Sequence, residues 1–164
     1  MNKVLVVFGG DSDEKEISAL SATSIVKNIS NDFSARKINL NDLDLNLLDD
    51  EIIFIAVHGK GGEDGHLQKA LETKNIRFTG SGSDATKKCW DKHLSKNILM
   101  KNGINTPFSY YFEKSKTDIR EISLAQSKKY FVKPISNGSS LGISKISNFN
   151  QLEDAVLLAQ KFSN

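Results

Sequence analysis

Residues 52–57 read Ile52-Ile53-Phe54-Ile55-Ala56-Val57, and residues 58–65 continue as His58-Gly59-Lys60-Gly61-Gly62-Glu63-Asp64-Gly65. An unbroken apolar run rich in β-branched side chains predicts a strand buried on both faces, as in a parallel sheet. Four glycines among the next eight residues let backbone approach a small ligand closely. Ligands in open α/β sheets bind beyond the carboxyl ends of strands, so this strand and loop form the first candidate site. Working outward, Lys3–Phe8 is a second apolar run, closed by Gly9-Gly10. A helix is expected from Asp13 or Glu14, because Asp13 and Glu16 have capping-box spacing, with Ile17, Leu20, Ile25 and Ile29 roughly on one face. Phe33–Leu40 alternates weakly, His66–Thr73 predicts a short helix and Ile76–Thr79 a short strand before Gly80-Ser81-Gly82.

This β-α-β-β-α-β order predicts a doubly wound α/β unit over residues 1–88. The right-handed crossover rule makes Lys3–Phe8 and Ile52–Val57 adjacent and parallel, with loops Gly9–Glu14 and His58–Gly65 on one edge. A second unit is expected over residues 89–164. Its elements are a helix Asp91–Lys101 ending at Asn102-Gly103, a strand Phe108–Phe112 after Pro107, and a helix Asp118–Gln126. A hairpin of Tyr130–Lys133 with Gly142–Ile146 follows, and then a last helix. Asn150 and Glu153 repeat the capping-box spacing there, with Leu152, Val156, Leu157 and Ala159 on a broad apolar stripe.

Composition narrows the class of function. At 164 residues, 38% hydrophobic and 26% charged, the chain can bury a core and is not of disordered type. Its 22 basic and 20 acidic residues give a net charge of +2, which makes no electrostatic case for a nucleic-acid or membrane partner. One cysteine, Cys89, suits a reducing compartment. No apolar run reaches membrane-spanning length, and the Met1-Asn2-Lys3 start lacks a signal-peptide pattern. A cytoplasmic α/β protein is expected.

Four loops carry chemistry. The first, Gly9–Glu14, lacks GxGxxG spacing and a Walker lysine. It holds Asp11, Asp13 and Glu14, so it suits an ammonium better than an anion; acids stabilising a helix N-terminus are the ordinary alternative. In the second, His58 is placed to orient a carboxylate or to cap a turn, while His66 and His93 have no zinc-ligand spacing with it. Third, Lys92 and Lys96 share a helix face at i,i+4, which is also the pattern of a solvated basic face. Fourth, Lys133 stands on an apparently buried strand, where an ammonium demands a partner. The adjoining Asn137-Gly138-Ser139-Ser140-Leu141-Gly142 offers hydroxyls and N–H groups able to grip phosphate oxygens. The alternative for it is a surface hairpin loop. The polar loop Ile135–Leu141 is expected to be mobile or disordered without nucleotide and to order on it, as a lid does.

Gly9-Gly10-x-Ser12-x-Glu14-x-Glu16-Ile17-Ser18, His58-Gly59-x-x-Gly62-Glu63-Asp64-Gly65-x-x-Gln68, Gly80-Ser81-Gly82, Asp91-Lys92-x-x-x-Lys96 and Val132-Lys133-Pro134-x-x-x-Gly138-Ser139-Ser140-x-Gly142-Ile143-Ser144 stand in this order. Together they resemble the D-alanine–D-alanine ligases. The resemblance implies a Rossmann-like pre-ATP-grasp domain followed by an incomplete ATP-grasp domain. It implies an ATP-dependent carboxylate–amine ligase that activates one D-alanine as an acylphosphate for attack by the amine of a second, for peptidoglycan synthesis. By the same resemblance Glu14 holds the first D-alanine's ammonium and acts with Ser139 as the catalytic pair. Ser18 and His58 join Glu14 in substrate binding, and Lys92, Lys133, Ser139 and Ser140 bind ATP. The implied partners are D-alanine and ATP, with a homodimer as the assembly. Mg²⁺ is implied as well, but no metal ligand is assigned here, because the family's second ATP-grasp half does not match this chain. The 164 residues alone are therefore expected to be inactive. Asp11, Asp13 and Cys89-Trp90 depart from the family pattern. A non-catalytic binding module of the same fold and a D-alanine–D-lactate type ligase are the alternatives.

Overall fold

The computed structural model describes residues 2–113 and 129–163, in two units, Met1–Trp90 and Asp91–Asn164. The first unit holds β1 (Asn2–Phe8), α1 (Lys15–Asn28), β2 (Phe33–Asn39), β3 (Ile52–Ile55), α2 (His66–Thr73) and α3 (Ser83–Trp90). The strands form one sheet in the order β2-β1-β3, with both pairings parallel and Val4 opposite Ile52 through to Val7 opposite Ile55. Alternation along β1 sends its side chains to two cores. Leu5 and Val7 pack with Ile53, Val57, Leu67 and Leu71 on the α2 side. Val4 and Val6 pack with Ala22 and Ala56 on the α1 side. The continuous apolar run is what a strand covered on both faces requires.

Several expectations need correction. Asp13 forms no capping box; Glu14 occupies the N-cap of α1 without a side-chain cap. The Ser12 hydroxyl turns the chain instead, accepting from Glu14 N–H at 3.3 Å, while Ser12 O accepts from Lys15 N–H. Ile17 and Leu20 are exposed. The face of α1 against the sheet runs through Ser18 and Ala22, with Ile25, Val26 and Ile29 packed beyond them, because small side chains let the helix lie close to β1. Ladder pairing of β3 stops at Ile55, although Ala56 N–H still donates to Val7 O at 2.8 Å. Ile76–Thr79 contributes only the parallel bridge Ile53–Phe78, both of its hydrogen bonds being made by the backbone of Ile53. Helix α3 was not foreseen: it buries none of its residues, so it has no apolar period to read.

In the second unit, α4 (Lys92–Lys101) is capped by Asp91, whose carboxylate accepts from Leu94 N–H at 2.8 Å. It ends at Asn102, with Gly103 at φ +72°. Strands β4 (Tyr130–Val132) and β5 (Ser144–Ile146) form the expected antiparallel hairpin. Helix α5 (Leu152–Lys161) buries Leu152, Ala155, Val156 and Ala159, and the core it forms with Ile146 takes in Phe112, Tyr130 and Val132. Leu157 lies off that stripe and is exposed. The capping box is Asn148 with Gln151, opening a 3-10 turn at Phe149–Gln151 ahead of α5, not Asn150 with Glu153. Residues 108–112 pair with no strand among the described residues, and Phe108 is 84% exposed. The expected helix Asp118–Gln126 lies outside the described residues.

Candidate functional site

In the first unit the site is built at the carboxyl ends of β1 and β3, where the two loops are tied together. Gly9 N–H donates to Ser18 Oγ at 2.8 Å, and the same hydroxyl donates to Ala56 O at 2.6 Å. Ser12 Oγ donates to His58 O at 2.8 Å. Glu14 is 8% exposed and lies against the turn at Gly59, where a Cβ would stand 2.7 Å from its Oε2. Gly59 has φ +70°, so glycine serves here both the left-handed turn and the close approach of the carboxylate. The loops thus open on one edge, as the crossover rule requires, and bring Glu14 and His58 to the same corner. Ser18 is wholly buried and its hydroxyl is engaged by backbone on both sides.

The loop 58–65 is set by polar contacts of its own. Asp64 accepts from Gly61 N–H at 2.7 Å and from His66 N–H at 3.0 Å, with His66 Nδ1 at 3.1 Å from the same carboxylate. Burial alone would raise this carboxyl; the two N–H groups and the His66 side chain outweigh it and hold it below the ordinary range. Buried Gln68 donates to Gly62 O at 2.6 Å. His58 stands on the rim, its ring about a third exposed, with Ser21 Oγ at 3.1 Å from Nε2 and Glu63 Oε1 at 3.8 Å from Nδ1.

The second unit gathers cations and hydroxyls. Lys92 N–H donates to Ile135 O at 2.9 Å, and its Nζ donates to Asn137 O at 2.8 Å. Burial, and next the nearby charge of Lys133, lower the affinity of the Lys92 amine for its proton, against the opposing pull of Asp91. Lys133 itself is exposed, one residue past the end of β4, with its Nζ 5.9 Å from the Phe131 ring centroid. The argument from a buried ammonium therefore applies to Lys92 and not to Lys133, because β4 is a three-residue strand whose exposed edge continues into the loop. Lys96 does not join the pair: its Nζ donates to Pro107 O. The loop beside the two lysines turns through positive φ at Asn137 (136°), Ser139 (48°) and Ser140 (61°). Asn137 accepts from Gly138 N–H at 2.8 Å and donates to Phe162 O at 3.3 Å. Ser139 and Ser140 are exposed at its tip. Two ammoniums, exposed hydroxyls and turned backbone suit an anion with several oxygens. Among the described residues no group of three His, Cys, Asp or Glu side chains is arranged to hold a metal ion, and no helix is long and apolar enough to cross a membrane.

Sequence reading missed Ser21 and gave Ser12, Asn137 and Gln68 no part beyond membership of their motifs. A signal existed for the serines on α1: Ser18 and Ser21 are three apart, which puts both on the helix face turned to the second loop.

Comparison with known proteins agrees with the resemblance. A family model described as "D-ala D-ala ligase C-terminus" matches residues 98–164. The D-alanine–D-alanine ligase of Azoarcus sp. (strain BH72) is 35% identical over 166 residues, covering 99% of this chain and 54% of its own length. The crystal structure of D-alanine–D-alanine ligase from Bacillus anthracis superposes with a TM-score of 0.84 at 28% identity, covering 99% of this chain and 55% of that one. The same ligase complexed with ATP gives a TM-score of 0.80 at 26% identity, covering all of this chain and 56% of that one. The chain therefore spans about half the length of the curated relatives it matches.

Proposed function

We propose, for a chain that belongs to the D-alanine–D-alanine ligase family and has part of its ATP-grasp fold, that it serves ATP-dependent joining of two D-alanines. In this reading the first unit takes the first D-alanine. Glu14 meets the ammonium and His58 the carboxylate, while Ser18 acts by fixing the two loops to each other. The second unit takes the polyphosphate of ATP through Lys92, Lys133, Ser139 and Ser140, and Glu14 and Ser139 are the residues assigned to catalysis. ATP supplies the phosphoryl group that activates a carboxylate as an acylphosphate. The chain's own residues bind, orient and screen charge.

The observation that carries the proposal is the lysine pair. Lys92 is partly desolvated and feels the charge of Lys133, an arrangement that an anion with several oxygens relieves. We place the reaction in the cytoplasm, in peptidoglycan synthesis, with a homodimer as the assembly. The Mg²⁺ that accompanies the nucleotide draws no ligand from the described residues in this proposal. A D-alanine–D-lactate type ligase and a non-catalytic module are the competing readings. The test has two arms on the purified chain. Calorimetric titration with ATP is expected to show binding that weakens as salt rises. Phosphate release with ATP, D-alanine and Mg²⁺ is expected to stay at background for these 164 residues. No nucleotide binding at any salt concentration refutes the phosphate role of the lysines. D-alanine-dependent turnover by the 164 residues refutes the need for further chain.

A further inference from the structure

The base of the glycine–serine loop is fastened twice to the first residue of α4. Lys92 N–H donates to Ile135 O at 2.9 Å, and Lys92 Nζ donates to Asn137 O at 2.8 Å. Asn137 offers that carbonyl from φ +136°, a value that glycine adopts freely and other residues adopt at a cost in strain. Its side chain is anchored on two sides. The amide oxygen accepts from Gly138 N–H at 2.8 Å, and the amide nitrogen donates to Phe162 O at 3.3 Å, at the end of α5. An N–H and a carbonyl are unlike partners, so only one orientation of the amide serves both. Gly142, which closes the loop, abuts the same residue: a Cβ there would stand 2.8 Å from Phe162 Cδ2.

We infer that Asn137 is a positioning residue, whose anchored side chain fixes the carbonyl that holds the Lys92 ammonium at the base of the loop, ready for a polyphosphate. An ammonium has three N–H donors; the carbonyl takes one, and two are left for phosphate oxygens. The contact also gives a half-buried charge a partner, against burial and the charge of Lys133, which both disfavour it. Glycine would suit the backbone at 137 better but would carry neither anchor. The identity of the ligand rests on the ATP reading of this unit; the hold of Asn137 on Lys92 does not.

The test is nitrogen-15 NMR of the lysine ammonium groups of the 164-residue chain, with the Lys92 signal assigned by its loss in Lys92→Arg. Asn137→Gly deletes the side chain and accepts the native φ, so it removes the anchors without imposing strain. Hydrogen exchange of the Lys92 ammonium is expected to quicken about 3- to 10-fold in Asn137→Gly, the contribution of a single hydrogen bond. Lys96, one turn along α4, donates its Nζ to Pro107 O; it is the control and is expected to keep its rate. An unchanged Lys92 rate overturns the inference. Equal quickening at Lys92 and Lys96 overturns it as well, since it marks a general loosening of the unit. ATP affinity, measured by calorimetry at low salt, is expected to fall about 3- to 10-fold in the same variant. Affinity equal to wild type overturns the positioning role even with a changed exchange rate. ATP titrated into the wild type decides the ligand: a Lys92 signal that does not respond overturns the phosphate reading, a failure distinct from that of the Asn137 contact.

Discussion

Removing the Ser18 hydroxyl tests how the two loops are joined. Ser18→Ala deletes the acceptor of Gly9 N–H and the donor to Ala56 O in one step. Both backbone groups lie beside a side chain that is 0% exposed, so water does not readily replace what is lost. Leaving a buried donor or acceptor unsatisfied costs about 1–3 kcal/mol each, and the two together about 2–6 kcal/mol in a unit whose whole stability is of order 5–15 kcal/mol. The sole tryptophan, Trp90, lies in α3 of the same unit, so its fluorescence follows the unfolding of this unit. With a urea slope of about 2 kcal/mol/M, the midpoint should fall by about 1–3 M. Hydrogen exchange at the Gly9 amide should quicken in parallel, since that proton loses its partner. A loss below about 0.5 kcal/mol with Gly9 still protected would refute the claim that Ser18 ties the carboxyl ends of β1 and β3.

Three further outcomes are expected. Asp64 is held below its unfolded value near 3.9, so its contribution is complete above that pH and is lost as pH falls through the lower folded value. Asp64→Asn should then cost about 1.5–3 kcal/mol near neutrality and flatten the acid limb of stability against pH, measured by urea titrations across that range. Gly62→Ala would set a Cβ 2.3 Å from Val57 O and 2.6 Å from Val57 Cβ, which backbone cannot yield cheaply. A fall in thermal midpoint together with shifted amide resonances over residues 57–65 is the expected result, and wild-type values at both would contradict it. Lys133→Ala should weaken ATP binding by about 1.5–3 kcal/mol, a loss of about 10- to 150-fold, read by calorimetry at low salt; unchanged affinity would remove Lys133 from the phosphate site.

The parallel core was legible because burial on both faces leaves an unmistakable run: Val4–Val7 and Ile52–Ile55 read as strands from their side chains alone. Helix α2 was legible at its observed bounds, His66–Thr73. The orientation of α1 was not, since the residues that meet the sheet are Ser18 and Ala22, while the larger Ile17 and Leu20 face outward. A pattern of large apolar residues finds the helix and misses the face when close packing selects small ones. Capping boxes were misplaced at both helices for a related reason. Side-chain caps depend on where the preceding turn ends, and Ser12 and Asn148 set those turns through contacts that spacing does not encode. At the site, the loops and their acids and lysines were legible from composition. The exposure of Lys133 and the engagement of Lys96 by Pro107 were not, because both follow from where a short strand and a distant carbonyl come to lie.

The tip of the second-unit loop has a consequence for anyone engineering this scaffold. Ser139 and Ser140 hold left-handed backbone, a conformation that costs a non-glycine residue about 1–2 kcal/mol. A design protocol scored on thermostability would therefore favour glycine at both positions and would remove both hydroxyls. On the proposed phosphate role of the two hydroxyls, selection for robustness and selection for ATP binding would pull these two codons in opposite directions. Stabilised libraries of this chain are best built with 139 and 140 held fixed, the gains being sought on the exposed faces of α3 and α5.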